Sequence, residues 1–139
     1  MGEAVIVITC KSVSRRFKVF VMDQNEKIYM TGQIREYKAM CLDEIRSLRK
    51  VAHKDSSYQR TKKDTGYLYI LRDALGTELG RGNICETEEL MNAEIEFMKA
   101  NAADAPIVDE SPEEEQIYMR DLLIELTSEI IEEKGYKYE

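Results

Sequence analysis

A chain of 139 residues, 43% of them hydrophobic and 34% charged, has the composition of one folded domain, which excludes an intrinsically disordered protein. The net charge of −7 is unevenly distributed, because residues 1–63 carry 14 Lys and Arg against 7 Asp and Glu, whereas residues 64–139 carry 6 against 20. This polarity differs from that of a general nucleic-acid-binding domain, which is basic throughout.

The N-terminal residues and the cysteines predict the compartment. The apolar run at residues 4–8 is too short for a signal-peptide core or a membrane span, and no basic stretch precedes it. Three widely spaced cysteines, Cys10, Cys41 and Cys85, are an odd number that suits free thiols in a reducing compartment. We therefore expect a soluble, cytoplasmic protein that does not contact a membrane.

Short runs of β-branched, aromatic and Met residues, separated by polar or glycine-containing turn clusters, predict strands. Six such runs form two groups of three, at Val5–Thr9, Phe17–Met22, Lys27–Thr31, Tyr58–Lys62, Tyr67–Leu71 and Thr77–Arg81. Each group predicts a three-stranded meander. A seventh run, Pro106–Val108, returns to strand character near the end of the second half.

An amphipathic helix is predicted after each group of strands, because apolar residues recur there at positions i, i+4, i+7 and i+11. The two stripes are Cys41, Ile45, Leu48 and Ala52, and then Met91, Ile95, Met98 and Ala102. Thr87 stands before two glutamates and therefore predicts the N-cap of the second helix.

A shift of 50 positions brings the strands, turns and helices of the two halves into register, and it aligns Gly32 with Gly82 and Glu44 with Glu94. We therefore predict an α+β domain at residues 1–110, built from two tandem strand-strand-strand-helix units at about 3–55 and 56–110. The units would share one antiparallel-rich sheet and exchange their terminal strands. Because the middle strands are apolar on both sides, the sheet face opposite the helices would also need a cover.

Distinctive segments also carry a family resemblance. They include IRSLRK at 45–50, YQRTK at 58–62, GYLY at 66–69, MKANA at 98–102 and DAPIVD at 104–109. Over about residues 3–110 the chain resembles the YegP-like family, small bacterial proteins built from one or two copies of a domain of unknown function. The resemblance implies tandem strand-rich units merged into one sheet, and it implies no catalytic or binding residue.

The residue types needed for catalysis do not form a recognisable set. His53 is the only histidine and falls at the end of the first predicted helix. With three scattered cysteines it cannot provide the ligand spacing of a zinc site, and the sequence contains no phosphate-binding glycine loop. We therefore predict a non-enzymatic protein with no catalytic residue, metal site or cofactor.

One candidate binding surface is basic. It comprises Arg46, Arg49 and Lys50, at helical spacing on the first predicted helix, and Arg15 and Arg16 in a predicted hairpin. These side chains could contact phosphates of RNA or DNA. The favoured interpretation is a solvated face balanced by the acidic second half, so nucleic-acid binding is the alternative function.

The other candidate surface is the acidic segment 111–139, which predicts a helix starting at Ser111, Pro112 and Glu113. Its apolar stripe consists of Met119, Leu122, Leu123, Leu126 and Ile130. Burying these side chains favours docking by roughly 1.5–3 kcal/mol each. The helix could cover its own sheet, pair with a second copy as a homodimer, or receive another protein. Protein contact is therefore the favoured function.

Overall fold

The computed structural model describes residues 4–11 and 16–111, which form an α+β domain with one sheet and two helices. The strands are β1 Val5–Lys11, β2 Arg16–Met22, β3 Ile28–Gly32, β4 Tyr58–Lys63, β5 Gly66–Arg72, β6 Glu78–Arg81 and β7 Ile107–Asp109. The helices are α1 Lys38–Val51 and α2 Glu88–Asn101, with 3-10 turns at Asp55–Ser57 and Ala102–Asp104. The predicted α+β class and the seven predicted strands are confirmed, with ends that differ by at most two residues.

The seven strands form one mixed sheet in the order β4-β5-β6-β3-β2-β1-β7. Every neighbouring pair is antiparallel except β1 and β7, which run parallel. The two meanders meet at the centre of the sheet, where β3 pairs with β6 through Thr31 opposite Arg81. Strand β7, which follows the second helix, joins the far edge beside the first strand of the chain.

Both helices lie on one face of the sheet, which we call the inner face. Helix α1 packs on β2, helix α2 packs on β5, and both contact the 3-10 turn at Ala102–Asp104. The two predicted helical stripes are buried in this layer, together with inward-facing strand residues such as Phe17, Val19 and Tyr69. Thr87 caps α2 as predicted, since its Oγ1 accepts a hydrogen bond from the backbone N–H of Leu90 at 3.2 Å.

The side chain of a tyrosine links two strands near the middle of the sheet on the inner face. The hydroxyl of Tyr69 on β5 donates a hydrogen bond to the backbone carbonyl oxygen of Tyr29 on β3, 2.5 Å away. Its ring passes directly over Gly82, where an added Cβ would lie only 2.2 Å from Tyr69 Cε2. The absence of a side chain at position 82 is therefore what allows the ring to cross the end of β6.

Two local contacts recur 50 positions apart along the chain. An isolated bridge joins Phe17 to Arg35, and another joins Tyr67 to Cys85. In the β2–β3 turn the Asp23 carboxylate accepts from two backbone N–H groups, and Asp73 does the same in the β5–β6 turn. Residues 50 positions apart can therefore be compared by the side chains that surround each of them.

Several predicted features lie outside the described residues. They are the turn at 12–15 with Arg15, and the helix predicted for segment 111–139 except its first residue, Ser111. The predicted interface stripe is also outside, namely Met119, Leu122, Leu123, Leu126 and Ile130. Those interpretations stay predictions.

Candidate functional site

The sheet face opposite α1 and α2, here called the outer face, carries a continuous row of side chains. Cross-strand pairing places them in one line from edge to edge, Val108, Val7, Phe20, Thr31, Arg81, Ile70 and Gln59. Val7 and Ile70 are only 6% and 7% exposed, and Leu68, also on this face, is 4% exposed. Apolar side chains therefore make up most of this row, here called the apolar strip, on the face that neither described helix covers, and Thr31 and Arg81 interrupt it at the centre of the sheet.

Cations surround that apolar strip. Strand alternation directs five basic side chains of the described residues to the outer face, and one carboxylate, Glu78. The five are Arg16, Lys18, Lys63, Arg72 and Arg81. Glu78 pairs with Arg81 at 2.8 Å, and Lys18 lies over the Phe20 ring with its Nζ 5.7 Å from the centroid. The outer face is therefore amphipathic, with apolar side chains on both sides of the Thr31–Arg81 centre and a net positive charge.

A second feature is a pocket of about 230 Å³ between α1 and the β5–β6 hairpin. Its lining residues are Arg35, Met40, Asp43, Glu44, Ser47, Asp73, Thr77 and Leu79. The pocket therefore combines one arginine, three carboxylates and two apolar side chains, and it is shared by the two halves of the chain.

Glu44 is a buried carboxylate in the wall of this pocket. Its side chain is 3% exposed, and Oε2 accepts a hydrogen bond from Nε of Arg35 at 2.8 Å. Oε1 is buried without a hydrogen-bond donor among the described residues. Burial raises the pKa of Glu44, and the hydrogen bond and charge of Arg35 oppose this, as does the backbone N–H of Gln33.

The matching place in the second half is filled. Glu94, 50 positions after Glu44, is 3.6 Å from Lys27 Nζ and accepts a 3.4 Å hydrogen bond from Asn83 Nδ2. Tyr29 stacks on Phe97 beside it, with ring centroids 3.8 Å apart and an interplanar angle of 14°. The two buried glutamates thus share a fold position but have different surroundings.

Sequence comparison places the chain in a family. No family model matches it. UPF0339 proteins of Bordetella pertussis, Bordetella parapertussis and Bordetella bronchiseptica are each 33% identical to it over 88 residues, which is 63% of this chain and 79% of the relative. The chain belongs to the UPF0339 family. This confirms the resemblance to YegP-like proteins, whose function is unknown.

Two solved structures share the fold of this UPF0339 protein. A UPF0339 protein of Shewanella oneidensis superimposes with a TM-score of 0.72 at 15% identity, over 77% of this chain and 91% of its own. The E. coli protein of unknown function YegP gives a TM-score of 0.72 at 17% identity, over 79% and 95%. At these identities the likeness establishes the fold alone.

The structure separates the predicted phosphate-contacting residues. Arg16 lies on the outer face at the Lys11 end of β1, whereas Arg46, Arg49 and Lys50 lie on α1, which packs on the inner face. Arg46 forms an ion pair with Asp43 on the same helix, and Lys50 is exposed. These residues of the UPF0339 chain therefore do not form one continuous basic surface.

The buried cysteines have the wrong chemistry for a nucleophile. Burial raises the pKa of Cys41 to about 12, and the nearby Glu44 carboxylate adds to the effect. Burial also raises the pKa of Cys85, with a further contribution from Glu94. Both thiols therefore stay protonated at neutral pH, and a protonated thiol attacks electrophiles poorly.

The described part of the chain contains neither a cluster of metal ligands nor a membrane-spanning helix. Among residues 4–11 and 16–111, no three His, Cys, Asp or Glu side chains lie close enough together to bind a metal ion. Within the same ranges, neither helix has the length and apolar character needed to cross a membrane.

Sequence reasoning missed the pocket and its buried carboxylate, although one signal was present. Glu44 lies three positions after Cys41 and one before Ile45, within the apolar stripe of α1. A charged residue on the buried side of a helix is rare unless it is paired. Its position therefore signals a buried partner, which the structure identifies as Arg35.

Proposed function

We propose that this UPF0339 protein acts by protein contact and not by catalysis, and that residues 112–139 of the same chain cover its outer face. The observation that carries the proposal is the apolar strip bordered by cations on the side of the sheet opposite both helices. Val7, Leu68 and Ile70 are each less than one-tenth exposed there, which supports a cover over this face.

Charge supports the same occupant. Residues 112–139 contain nine Asp and Glu against three Lys and Arg, whereas the outer face has five cations and one carboxylate among the described residues. The predicted stripe of Met119, Leu122, Leu123, Leu126 and Ile130 offers the apolar surface that the strip needs. Opposite charges around an apolar contact favour this pairing over association between two acidic segments.

The length of the predicted C-terminal helix and the place where the described chain ends also support this cover. The chain reaches Ser111 at the β7 edge of the sheet, where the backbone N–H of Glu110 still donates to the carbonyl oxygen of Ile8 at 3.0 Å. A helix over 113–133 would be about 32 Å long at 1.5 Å per residue. Seven strands about 4.8 Å apart span about 29 Å. One helix is therefore long enough to cross the whole sheet.

Two further aspects belong to this proposal. The matching backbone contacts of Phe17 with Arg35 and of Tyr67 with Cys85 support an origin of the two halves as copies of one unit. The protonated state favoured for the thiols of Cys41 and Cys85 supports a role that does not use them as nucleophiles.

Deletion of residues 112–139 tests the proposal. The truncated chain should bind a dye for exposed apolar surface, such as anilinonaphthalene sulfonate, much more strongly than the full chain, and should aggregate at lower temperature. A synthetic peptide of residues 112–139 added to the truncated chain should reverse both effects, and high salt should weaken its binding because the contact is partly ionic.

Substitutions in residues 112–139 provide a comparison with the deletion. Leu122→Ser with Leu126→Ser should reproduce the deletion, whereas Glu125→Gln, outside the predicted stripe, should not. The full chain should elute as a monomer in size-exclusion chromatography. A dimer lost on deletion would instead assign the cover to a second copy, and an unchanged, dye-negative truncated chain would contradict the proposal.

The same truncated chain tests the alternative function. If RNA or DNA binds it at low salt and the full chain does not bind, the outer face serves nucleic acid and the acidic segment competes for it. Arg81→Ala and Arg72→Ala would then weaken that binding. On α1, by contrast, Arg46 pairs with Asp43 and Arg49 donates to the carbonyl oxygen of Ala105, so these contacts do not support a phosphate-binding surface on that helix.

A further inference from the structure

We propose that the open edge of β4 is a protein-binding surface, and that it binds an extended acidic segment of another protein as an added β-strand. This rests on the function proposed above, because it assigns a surface to that protein contact, but it does not depend on the cover of the outer face. Three features support it: an edge that is covered in the first half, outward-pointing backbone groups on β4, and the cations beside them.

The first strands of the two halves, β1 and β4, differ in what lies on their far side. Strand β1 is covered there by β7, which runs parallel to it. The N–H of Ile6 donates to the carbonyl oxygen of Pro106 at 2.9 Å, and the carbonyl oxygen of Ile8 accepts from Glu110 at 3.0 Å. Strand β4 pairs with β5, and no other described strand lies beside it. The first half therefore shows that an extended segment fits at this place in the fold.

The backbone of β4 presents hydrogen-bonding groups to its open edge. Tyr67 on β5 exchanges backbone hydrogen bonds of 2.8 and 2.7 Å with Cys85, so its N–H and C=O point away from β4. Lys62, the residue opposite Tyr67, therefore belongs to a non-hydrogen-bonded pair, and its own N–H and C=O point outward. Arg60 repeats this arrangement two residues earlier. Strand β4 thus offers two residues with outward backbone groups, as β1 does to β7.

The charges along β4 favour an acidic partner. The strand contains three cations, Arg60, Lys62 and Lys63, and no carboxylate. Arg60 is paired with Asp55 at 2.9 Å, whereas Lys62 and Lys63 are exposed and form no ion pair with a described residue. Opposite charges on adjacent strands stabilise their pairing. Carboxylates of an added strand would therefore be stabilised beside these two lysines.

A second copy of the chain is a poor occupant for the same edge. Two β4 strands can pair by two-fold symmetry in antiparallel orientation. In the two registers with the most residue pairs, Arg60 lies opposite either Arg60 or Lys62 of the other copy. Like charges directly opposite one another are destabilising, and lysines on an edge strand oppose edge-to-edge association. The β4 edge is therefore unsuited to a second copy and suited to a strand of opposite charge.

A cavity beside the edge can receive a side chain of the added strand. It measures about 300 Å³ and lies between β4 and the start of α2. Tyr67 and the buried Met91 line it, together with Glu88, which is its only carboxylate among the described residues. Main-chain hydrogen bonds give strand addition its affinity, and cavities of this kind give it specificity. An apolar side chain fits the cavity, and its acidic neighbours fit beside the lysines.

A hexapeptide of alternating glutamate and valine, blocked at both ends, is a suitable probe. It should bind the full chain saturably, with the largest shifts in amide NMR spectra at Arg60 and Lys62. The amides of these two residues should also exchange hydrogen more slowly with peptide present, because they gain hydrogen-bond acceptors. The amides of Gln59 and Thr61, which already face β5, should change little.

Two control peptides separate strand addition from charge attraction alone. The same hexapeptide with all its peptide nitrogens methylated keeps its charge but has no N–H donors, so it should not bind. A hexapeptide of alternating lysine and valine keeps the β-propensity and reverses the charge. It should bind at least about tenfold more weakly than the acidic peptide, because several cross-strand charge pairs become repulsive.

Variants locate the binding on β4. Lys62→Glu should weaken binding of the acidic peptide about fivefold, because an attractive cross-strand contact becomes a repulsive one, and it should strengthen binding of the lysine–valine peptide. Lys62 is exposed, so this variant should fold as the wild type does. Lys50→Glu makes the same charge change on α1, and as the matched control it should leave both affinities within about twofold.

The proposal is overturned if the acidic peptide shows no saturable binding at millimolar concentration, or if the methylated peptide binds equally well. Amide shifts confined to elements other than β4 would overturn it too. Binding that appears only after deletion of residues 112–139 would assign the edge to that segment of the chain and not to another protein. Failure at the β4 edge leaves the dye-binding result of the deletion unchanged, so the two proposals can fail separately.

Discussion

Arg49 donates a hydrogen bond from Nη2 to the backbone carbonyl oxygen of Ala105, 2.7 Å away. This bond ties the last turn of α1 to the segment between α2 and β7, two parts of the chain separated by 56 residues. Arg49, which only the alternative, nucleic-acid-binding interpretation placed among phosphate-contacting residues, therefore has a structural partner. Since the carbonyl of Ala105 is part-buried, its donor matters for the stability of the fold.

Arg49→Ala should lower the free energy of unfolding by about 1–2 kcal/mol, because it removes a charge-assisted hydrogen bond to a part-buried carbonyl. Chemical denaturation monitored by circular dichroism measures the change. Lys50→Ala is the control on the same helix, since Lys50 makes no side-chain bond with the described residues, and it should stay within about 0.5 kcal/mol of the wild type. Equal effects of the two substitutions would show that the Ala105 contact contributes nothing.

Glu26 adopts a left-handed backbone conformation, with a φ of 64°, in the turn between β2 and β3. Gly76 holds the matching turn position in the second half, with a φ of 84°. A residue with a Cβ is disfavoured there by about 1 kcal/mol. Glu26→Gly should therefore raise the free energy of unfolding by about 0.5–1 kcal/mol.

Gly76→Ala supplies the reverse experiment. An added Cβ at this position would meet no atom within 4 Å, so any loss comes from the backbone conformation and not from a clash. We expect a loss of about 1 kcal/mol in the same denaturation assay. Destabilisation by Glu26→Gly would mean that the Glu26 side chain makes a compensating contact.

The spacing of apolar residues predicted the strands and helices well, because within one element it indicates which side chains are buried. In β2, Phe17, Val19 and Val21 recur at every second position, and the structure buries these three while the positions between them are exposed or half-buried. The same alternation would have placed Arg16 on the face opposite the helix that carries Arg49. Grouping them into one basic surface used charge alone and ignored the two-residue period of the strand.

What the sequence could not supply is which distant groups meet. The partner of Arg49 is a backbone carbonyl, which no side-chain pattern encodes. The pocket depends on Thr77 and Leu79 of one half facing Glu44 of the other. Such contacts follow from the order of strands at the centre of the sheet, where β6 pairs with β3, and periodicity within one element does not determine that order.

Asp109 joins β7 to the first turn of α1 by pairing with Lys38, whose side chain is 7% exposed. Burial raises the pKa of Asp109, but hydrogen bonds from Lys38 and Ser111 outweigh this and hold it below the ordinary value of 3.8. A lowered pKa means that the carboxylate stabilises the fold above pH 3.8 and that this contribution is lost as the pH falls through the folded-state pKa.

Asp109→Asn should therefore cost about 1 kcal/mol at neutral pH, because the Asp109 side chain is 35% exposed and solvent weakens its pair with Lys38. The difference from wild type should stay constant down to about pH 5 and shrink below pH 3.8. Urea denaturation at several pH values measures it. Asp43→Asn is the control, because its pair with Arg46 is 70% exposed on both sides and should contribute under about 0.5 kcal/mol. If the difference in unfolding free energy between the wild type and Asp109→Asn grew toward low pH, the lowered pKa of Asp109 would be contradicted.

Glu44 should show the opposite dependence on pH. Burial raises its pKa above 4.5 in the folded state, despite the opposing effect of Arg35, so the folded protein binds this proton more tightly than the unfolded chain does. The contribution of Glu44 to stability is then greatest below pH 4.5 and falls as the pH rises through the folded-state pKa. Glu44→Gln, which does not ionise, should become more stable relative to wild type between about pH 4 and pH 7.

Arg35→Gln gives the complementary measurement. Because Arg35 lowers the pKa of Glu44, its loss should move the decline in stability to higher pH, provided that Glu44 is present. In the Glu44→Gln background the same arginine substitution should leave the shape of the pH profile unchanged. A pH profile of the Arg35→Gln variant that matches the wild type would show that the buried pair does not control the titration of this carboxyl group.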